Sequence, residues 1–370
     1  MNARLAALLG LAALALTGCH GPGSESTADT VDTAPDTAPD TAPDDTYPYQ
    51  RLSTWGLFEG PLVDQQPAAD VVPYEVAIRL WSDGADKDRF FRLPPGGGIT
   101  IDGVDDWTFP EGSVLVKTFS FDLAEGDDAT RVRLETRLLV LVNGAWEGLI
   151  YRWNDEQTEA NYLVAGERVE MARTDADGVA YDQEYLVPNQ NQCETCHRRD
   201  DVMHPLGPMT RQMNRVVDRD GQSVNQVDWL AGRGVFALDP GPGAALDAFV
   251  DAFDPAQDLE ARARGYLHAN CSHCHRVGGY SGNSGLYLQA EETDREHMGI
   301  CKVSAAAGAG TGGYTYDIVP GDPDHSILAY RMDSVDPEIK MPELPNLLPD
   351  YEGIELVREW ISNMDGTCDP

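Results

Sequence analysis

Two short segments of the chain carry the same arrangement of cysteine and histidine. They read CETCH (193–197) and CSHCH (271–275), so in each a histidine directly follows the second of two cysteines spaced two residues apart. This C-x-x-C-H pattern is typical of covalent c-type haem attachment. Two thiols at this spacing can bond to the two vinyl groups of one porphyrin, and the adjoining histidine can then bind the iron. The sequence therefore predicts two haem c groups. The predicted attachment cysteines are Cys193, Cys196, Cys271 and Cys274, and the predicted proximal iron ligands are His197 and His275.

Paired cysteines have other uses, which the repeated histidine argues against. Two C-x-x-C pairs can form one four-cysteine zinc site, and a single pair can act as a redox dithiol. Neither use requires a histidine directly after each second cysteine, so the pattern favours haem. The remaining histidine of the second motif, His273, lies between the cysteines. Its side chain is expected to point away from the iron and toward solvent.

The iron of the second haem needs a ligand opposite His275 if it is to transfer electrons. A methionine thioether in that position raises the reduction potential. Met341 lies in IKMPELPNLLPD, a proline-rich loop just before the last predicted helix, and it is the predicted distal ligand. The other methionines after the second motif are Met298, Met332 and Met364. Met364 continues the apolar stripe of the last helix, so core packing is its expected role.

The distal side of the first haem is less clearly marked. Four candidates lie within DVMHPLGPMTRQMN, none in a distinctive setting: Met203, His204, Met209 and Met213. Met209 is the predicted distal ligand. The alternative is an open sixth position, which would permit binding of small ligands or peroxide chemistry.

Three cysteines lie outside the haem motifs. Cys301 and Cys368 both follow the second motif, and in an oxidising compartment they are expected to form a disulfide that holds the C-terminus. Two free thiols are the alternative. The third, Cys19, ends an N-terminal apolar run and follows Leu-Thr-Gly.

The first 50 residues have the composition of an export and anchoring segment. Residues 1–18 are predicted to be a lipoprotein signal peptide, because the apolar run is too short to span a bilayer as a mature helix. The LTGC sequence resembles a bacterial lipobox, which implies cleavage before Cys19 and lipidation of that residue. Residues 19–50 contain TAPD three times in succession and are predicted to be a disordered acidic, proline-rich tether.

The charge of the whole chain limits the classes of partner. The net charge is −35 and four residues are lysine, which argues against nucleic acid as a ligand because cations must neutralise its phosphates. A basic protein partner is compatible with this charge. The acidity is spread along the chain, so solubility is its expected role.

The elements that must position the motifs change in type along the chain. SVLVKTFSF (113–121) and RVRLETRLLVLV (131–142) begin with alternating apolar and polar residues, and Asn-Gly then separates the second from AWEGLIYRW (145–153), which predicts a hairpin. LEARARGYLHAN (259–270) and YEGIELVREWISNM (351–364) are predicted helices.

These patterns predict a β + α multidomain fold, with an N-terminal β-sandwich-like domain followed by mainly α-helical c-type cytochrome domains. The β-rich domain is expected over residues 51–187. The first c-haem region is expected over 188–258 and the second c-haem domain over 259–370.

Many segments from residue 52 onward match a known pattern when they are taken together. They are WGLFEG (55–60), VVPYEVAIRLWSDGADKDRF (71–90), FPEGSVLVKTF (109–119), LETRLLV (134–140), WEGLIYRWNDEQTEA (146–160), YLVPNQNQCETCH (185–197), PLGPMTRQMNR (205–215), NCSHCH (270–275), SGLYL (284–288), GICK (299–302), YDIVPGDPDHSILAYRM (316–332) and MPEL (341–344).

With these segments the chain resembles a family of exported dihaem c-type cytochrome proteins encoded beside a parallel β-helix repeat protein. The resemblance implies two c-type haems, a β-rich N-terminal region and a partner in a surface or periplasmic assembly. It implies no particular reaction. The family commonly has Leu-Gly-Pro followed by Leu-Asn where this chain has PLGPMTRQMN, so the resemblance gives Met209 no support.

Two functions are compatible with these features. The first is electron transfer in the periplasm or at the cell surface by a lipid-anchored dihaem cytochrome that docks redox partner proteins. The second is a dihaem oxidoreductase or peroxidase-like enzyme whose β-domain binds a substrate such as a carbohydrate. Cys271 follows Cys193 by 78 positions, a spacing that suits one small haem domain per motif and favours the carrier.

Overall fold

The computed structural model describes residues 46–101, 106–305, 307–343 and 346–368. All of them fall within one compact unit, Asp44–Pro370. The predicted signal peptide, Cys19 and most of the predicted tether lie outside the described residues. No helix in the described ranges is long and apolar enough to cross a membrane.

Sixteen strands occur among the described residues. They are β1 (Phe58–Glu59), β2 (Gln66–Pro67), β3 (Val71–Pro73), β4 (Asp86–Arg92), β5 (Thr100–Ile101), β6 (Trp107–Thr108), β7 (Val114–Asp122), β8 (Arg131–Val142), β9 (Ala145–Trp153), β10 (Ala160–Tyr162), β11 (Glu167–Thr174), β12 (Ala180–Val187), β13 (Arg198–Arg199), β14 (Val202–Met203), β15 (Val216–Arg219) and β16 (Gln222–Asn225).

The described ranges also contain six α-helices. They are α1 (Gln190–His197), α2 (Thr210–Met213), α3 (Gln226–Gly232), α4 (Leu259–Asn270), α5 (Ile327–Met332) and α6 (Tyr351–Ser362).

The predicted hairpin is confirmed. Strands β8 and β9 pair antiparallel with Val142 opposite Ala145, so Asn143 and Gly144 form the two-residue turn. Both turn residues have positive φ, 53° and 77°, which is the backbone that Asn-Gly adopts most readily in hairpins.

The N-terminal region is built on one large sheet, so the prediction of a β-sandwich is wrong. Six antiparallel strands pair in the order β10-β9-β8-β7-β4-β3, and every other sheet of the described residues has two strands. One face of the large sheet packs against side chains of the preceding loop, including Leu52, Trp55 and Leu57. The opposite face packs against the hairpin β11–β12 and segments that follow it. Since both faces are already covered, no second sheet is needed to bury them.

The prediction of mainly α-helical cytochrome domains is also wrong. The helices after residue 187 are short, α2 having four residues, and long non-helical stretches and small hairpins separate them. The two long helices that the sequence predicted, α4 and α6, are present. Between them the chain bends at glycines in the left-handed region, such as Gly278 with φ 75° and Gly285 with φ 64°. Because these residues leave helical geometry, the chain there forms loops.

Helices α4 and α6 make a close crossing that organises the C-terminal part. A Cβ atom built on Gly353 of α6 would lie 2.1 Å from the hydroxyl oxygen of Tyr266 in α4, so only glycine permits this approach. The Tyr266 hydroxyl donates a 3.1 Å hydrogen bond to Asp350, and Asp350 caps the first turn of α6. The crossing therefore fixes the end of α4, where the second motif begins.

Candidate functional site

The first motif lies on α1, which begins with a reciprocal cap. The Asn189 side chain accepts a hydrogen bond from the Gln192 amide at 2.9 Å, and the Gln192 side chain accepts one from the Asn189 amide at 2.8 Å. This capping box makes the helix begin directly before CETCH. Cys193 packs against Gly148 of β9, where a Cβ atom would meet the Cys193 side chain at 3.3 Å. The glycine thus lets α1 lie close to the sheet.

His197 has the Nδ1 hydrogen bond that is usual for a metal-binding histidine. Its Nδ1 lies 2.7 Å from the carbonyl oxygen of His204, so Nδ1–H donates and Nε2 is left with its lone pair. Burial, with the nearby Lys117 as the next cause, lowers the pKa of His197 to about 4. A neutral imidazole with an oriented Nε2 fits the proximal side of a haem.

The second motif continues from the C-terminal end of α4. The amide of His275 donates a 2.9 Å hydrogen bond to the carbonyl oxygen of Cys271, which forms one more helical turn across the motif. Burial lowers the pKa of His275 to about 4, so this imidazole is also neutral near pH 7. Its Nδ1 is buried without a hydrogen-bond partner in the described part of the chain.

A cavity of about 410 Å³ adjoins the second motif. This volume lies in the range of about 300–1,000 Å³ that is usual for ligand and cofactor sites. Its lining includes both thiols and the histidine of the motif together with Met341. These residues are Cys271, Cys274, His275 and Met341. The structure therefore brings the predicted thioether and imidazole ligands to one cavity, and this donor set fits a haem c.

The loop that carries Met341 is fixed by hydrogen bonds to α5. The Met341 amide donates to the carbonyl oxygen of Arg331 at 2.9 Å, and Arg331 Nε donates to the carbonyl oxygen of Ile339 at 2.7 Å. These bonds hold the methionine against the cavity wall.

The other methionines after the second motif have different surroundings. Met298 is buried in the core cluster around α4 and α6, and Met364 packs against that cluster, as the sequence predicted for Met364. Met332 lies in α5 and lines the large cavity as well as belonging to the core.

The two motifs meet although 78 positions separate them. The Cys274 thiol lies 3.4 Å from the carbonyl oxygen of Thr195, and both Thr195 and Cys196 line the large cavity. A hydrogen bond from the Cys274 thiol lowers the pKa of Cys196 well below its ordinary value, and the same bond raises the pKa of Cys274. One cysteine of each motif therefore faces the other motif.

His273 is placed differently from its prediction. It is partly buried and not directed only to solvent, since it lines the large cavity and a second, smaller one. Its ring also forms a hydrogen bond that lowers the pKa of Cys196. His273 belongs to the second motif and lies next to Cys196 of the first.

The candidates for the distal side of the first haem are dispersed. Met209 precedes α2 and lines the smaller cavity, which measures about 70 Å³ and is too small for a porphyrin. Met213 is fully buried in the core, and the His204 carbonyl is used by His197. Met203 lies on the short strand β14. Met209 therefore stays a prediction.

Cys301 and Cys368 form a disulfide that joins the loop after Gly299 to the segment following α6. The four motif cysteines are free thiols. Within the described ranges no group of three or more His, Cys, Asp or Glu residues could hold a metal ion.

Sequence reasoning missed two basic side chains at the first motif. Arg89 of β4 and Lys117 of β7 both line the smaller cavity. The available signal was the single lysine within the otherwise apolar SVLVKTFSF, at a position that alternation places on the same face as Leu115 and Phe119.

Comparison with known proteins adds no relative. No protein-family model, no curated protein and no solved structure matches this chain.

Proposed function

We propose that this protein is an exported, lipid-anchored dihaem c-type cytochrome that transfers electrons in the periplasm or at the cell surface. One observation carries the proposal: both thiols and the histidine of the second motif line one cavity with Met341, and the first motif adjoins it. The proposal requires no separate helical cytochrome domain, since the six-stranded sheet supports α1 and the α4–α6 crossing supports the second motif.

The chain contributes attachment, ligation and shielding. Bound haem c would supply reversible one-electron chemistry at its iron. The four motif thiols would hold the two porphyrins, and the neutral imidazoles of His197 and His275 would bind iron on the proximal side. Met341 would bind the second iron on the opposite side and raise its potential. Apolar side chains such as Leu286, Leu288 and Ile354 line the cavity and limit access of water.

The contact between the motifs supports transfer between the two haems. Since the Cys274 thiol lies 3.4 Å from the Thr195 carbonyl oxygen, the residues that would hold the two haems are neighbours.

Export, anchoring and partners belong to the same proposal. The N-terminal signal and Cys19 would place the folded part at a membrane surface, with redox proteins as partners. The family resemblance adds a parallel β-helix repeat protein as a candidate partner. Labelling with a radioactive fatty acid tests the anchor: the Cys19→Ala variant is expected to lose the label, and retained label would contradict lipidation.

The decisive experiment measures covalent haem in protein exported from a host that attaches haem c. Pyridine haemochrome spectra and intact mass are expected to give two haems per chain. Cys193→Ala/Cys196→Ala and Cys271→Ala/Cys274→Ala variants are each expected to retain one. A wild-type protein without covalent haem would refute the proposal.

Spectra with carbon monoxide and peroxide separate the carrier from the enzyme. Two low-spin haems that bind neither ligand are expected for a carrier. A high-spin haem that binds carbon monoxide would instead favour the peroxidase-like alternative.

A further inference from the structure

Three basic residues lie side by side across the centre of the large sheet. In the register of β4, β7 and β8, Lys117 stands opposite Arg89 on one side and opposite Arg137 on the other. Residues in register point to the same face of a sheet, and like charges directly opposite one another are destabilising. This row of like charges therefore lowers the stability of the folded state unless anions neutralise it.

Only one member of the row has a carboxylate partner. Arg137 makes two hydrogen bonds to Glu135, at 2.8 and 2.5 Å. Arg89 donates to the carbonyl oxygen of Lys87 at 3.0 Å and, in the described ranges, pairs with no carboxylate. Lys117 Nζ has neither a hydrogen bond nor an ion pair with any described residue, and Glu135, which already pairs with Arg137, acts on it only as a nearby charge. The chain has 62 acidic residues, so the missing partner does not reflect a shortage of carboxylates.

Lys117 lies near the first haem motif, and the cavity that it lines with Arg89 is also bounded by Ser272 and His273 of the second motif. Lys117 interacts electrostatically with Cys196 and is the main charged neighbour that lowers the pKa of His197. Burial, together with Arg89 and Arg137, lowers the pKa of Lys117 itself to about 7. The side chains of Arg89 and Lys117 converge on the cavity of about 70 Å³.

The other charged and titratable groups around this cavity do not neutralise the pair. Asp106 forms an ion pair with Arg199. His268 accepts a 3.0 Å hydrogen bond from the Ala290 amide at Nδ1, so its neutral ring carries its proton at Nε2. Arg276 also lines the cavity and adds positive charge. The remaining titratable residue in the lining is His273.

We propose that Arg89 and Lys117 form a carboxylate-binding site beside the first haem motif. The carboxylate would come from a propionate of the haem attached at Cys193 and Cys196, or from a dissolved carboxylate that enters the cavity. The first of these sources, a haem propionate, rests on the proposed function. A bound anion accounts for both of the adjacent cations. Ligation of iron by Lys117 would account for Lys117 alone and leave Arg89 unexplained.

The test uses haem-loaded protein and compares Lys117→Met, Arg89→Met and Lys117→Arg with Arg168→Met. Arg168 is an exposed residue of β11, so its variant removes one positive charge far from the sheet centre. With haem propionate as occupant, the propionate bending band in resonance Raman spectra is expected to shift in both Met variants. The redox equilibrium of the first haem is expected to move roughly tenfold toward the oxidised form, and Lys117→Arg to restore both readouts.

A second arm identifies a dissolved source. If the carboxylate comes from solution, acetate is expected to raise the melting temperature of the wild type and not that of the Met variants, and the Raman band stays fixed. This arm also works on protein without haem, so it gives a result even if the proposed function fails.

Two outcomes would overturn the site. In the first, both Met variants match Arg168→Met in Raman band, redox equilibrium and acetate response. In the second, Lys117→Met changes the spin state of the first haem while Arg89→Met has no effect, which would identify Lys117 as an iron ligand.

Discussion

His197 and His275 hold equivalent positions in their motifs but have different surroundings. The Nδ1 of His197 is oriented by the His204 carbonyl oxygen at 2.7 Å, whereas the Nδ1 of His275 is buried without a hydrogen-bond partner in the described part of the chain. A hydrogen bond at Nδ1 makes an imidazole a stronger donor to iron. The two haems of the proposed cytochrome are therefore expected to be inequivalent.

In the proposed cytochrome, Met341 is the residue on which the properties of the second haem would depend most. The Met341→Leu variant is expected to lose the long-wavelength absorption band of a methionine–ferric haem bond and to lower the potential of one haem, because the thioether is removed. Met332→Leu is the matched control, since Met332 lines the same cavity from α5. A band that persists in Met341→Leu and disappears in Met332→Leu would reassign the ligand.

The buried side chain of His268 is expected to make the stability of the protein depend on pH. Burial lowers its pKa from 6.5 to about 4, so between these pH values the unfolded chain binds a proton that the folded chain does not. The free energy of unfolding is therefore expected to fall as the pH falls from about 6.5 to about 4, by up to about 3 kcal/mol from this group.

Urea titrations of the haem-loaded protein across this range measure the effect. His268→Gln, which cannot titrate, is expected to show a smaller slope than the wild type. His325→Gln changes an exposed histidine and serves as the control. Equal slopes for the wild type and His268→Gln would rule out this contribution.

Among the elements, the crossing of α4 and α6 has the strongest influence on the second motif. Tyr266 packs where Gly353 leaves space, and its hydroxyl is bonded to Asp350, so this ring has little freedom to move. The position of Cys271 follows directly from the end of α4. Any change that separates the two helices should therefore alter the cavity at the second motif as well as the fold.

Gly353→Ala tests this crossing. An alanine normally stabilises a helix relative to glycine, by up to about 1 kcal/mol. Here its Cβ would overlap the Tyr266 hydroxyl, and a loss of roughly 1–3 kcal/mol is expected from overpacking. Gly232→Ala in α3 is the control, because a Cβ there meets nothing within 4 Å. Chemical unfolding of the two variants should show opposite signs, and equal stabilities would contradict the argument.

At the scale of the whole molecule, contacts distant in sequence complete the site. Strand β9 supports α1, the α4–α6 crossing supports the second motif, and the cysteines of the two motifs meet at Cys196 and Cys274. The disulfide then joins the C-terminal segment to the loop near residue 300.

Removal of the disulfide is expected to lower global stability and leave haem attachment intact. Cys301 and Cys368 are 67 positions apart, and a crosslink over such a loop contributes about 2–4 kcal/mol by restricting the unfolded chain. Urea unfolding of Cys301→Ser/Cys368→Ser measures this loss. Dithiothreitol should destabilise the wild type and not the double variant, and a response of both would point to a different reducible bond.

The chain itself determined the local features of this protein. Alternation and an Asn-Gly turn define β8 and β9, an apolar stripe defines α6, and the spacing of cysteine and histidine defines each motif, because all these signals act over a few residues. Tertiary structure decided which faces are covered and which distant residues meet. A single sheet replaced the expected sandwich because loops and hairpins cover both of its faces. The row of Arg89, Lys117 and Arg137 likewise forms only because of the strand register. That register depends on pairing between segments that are distant in sequence, and no single segment determines it.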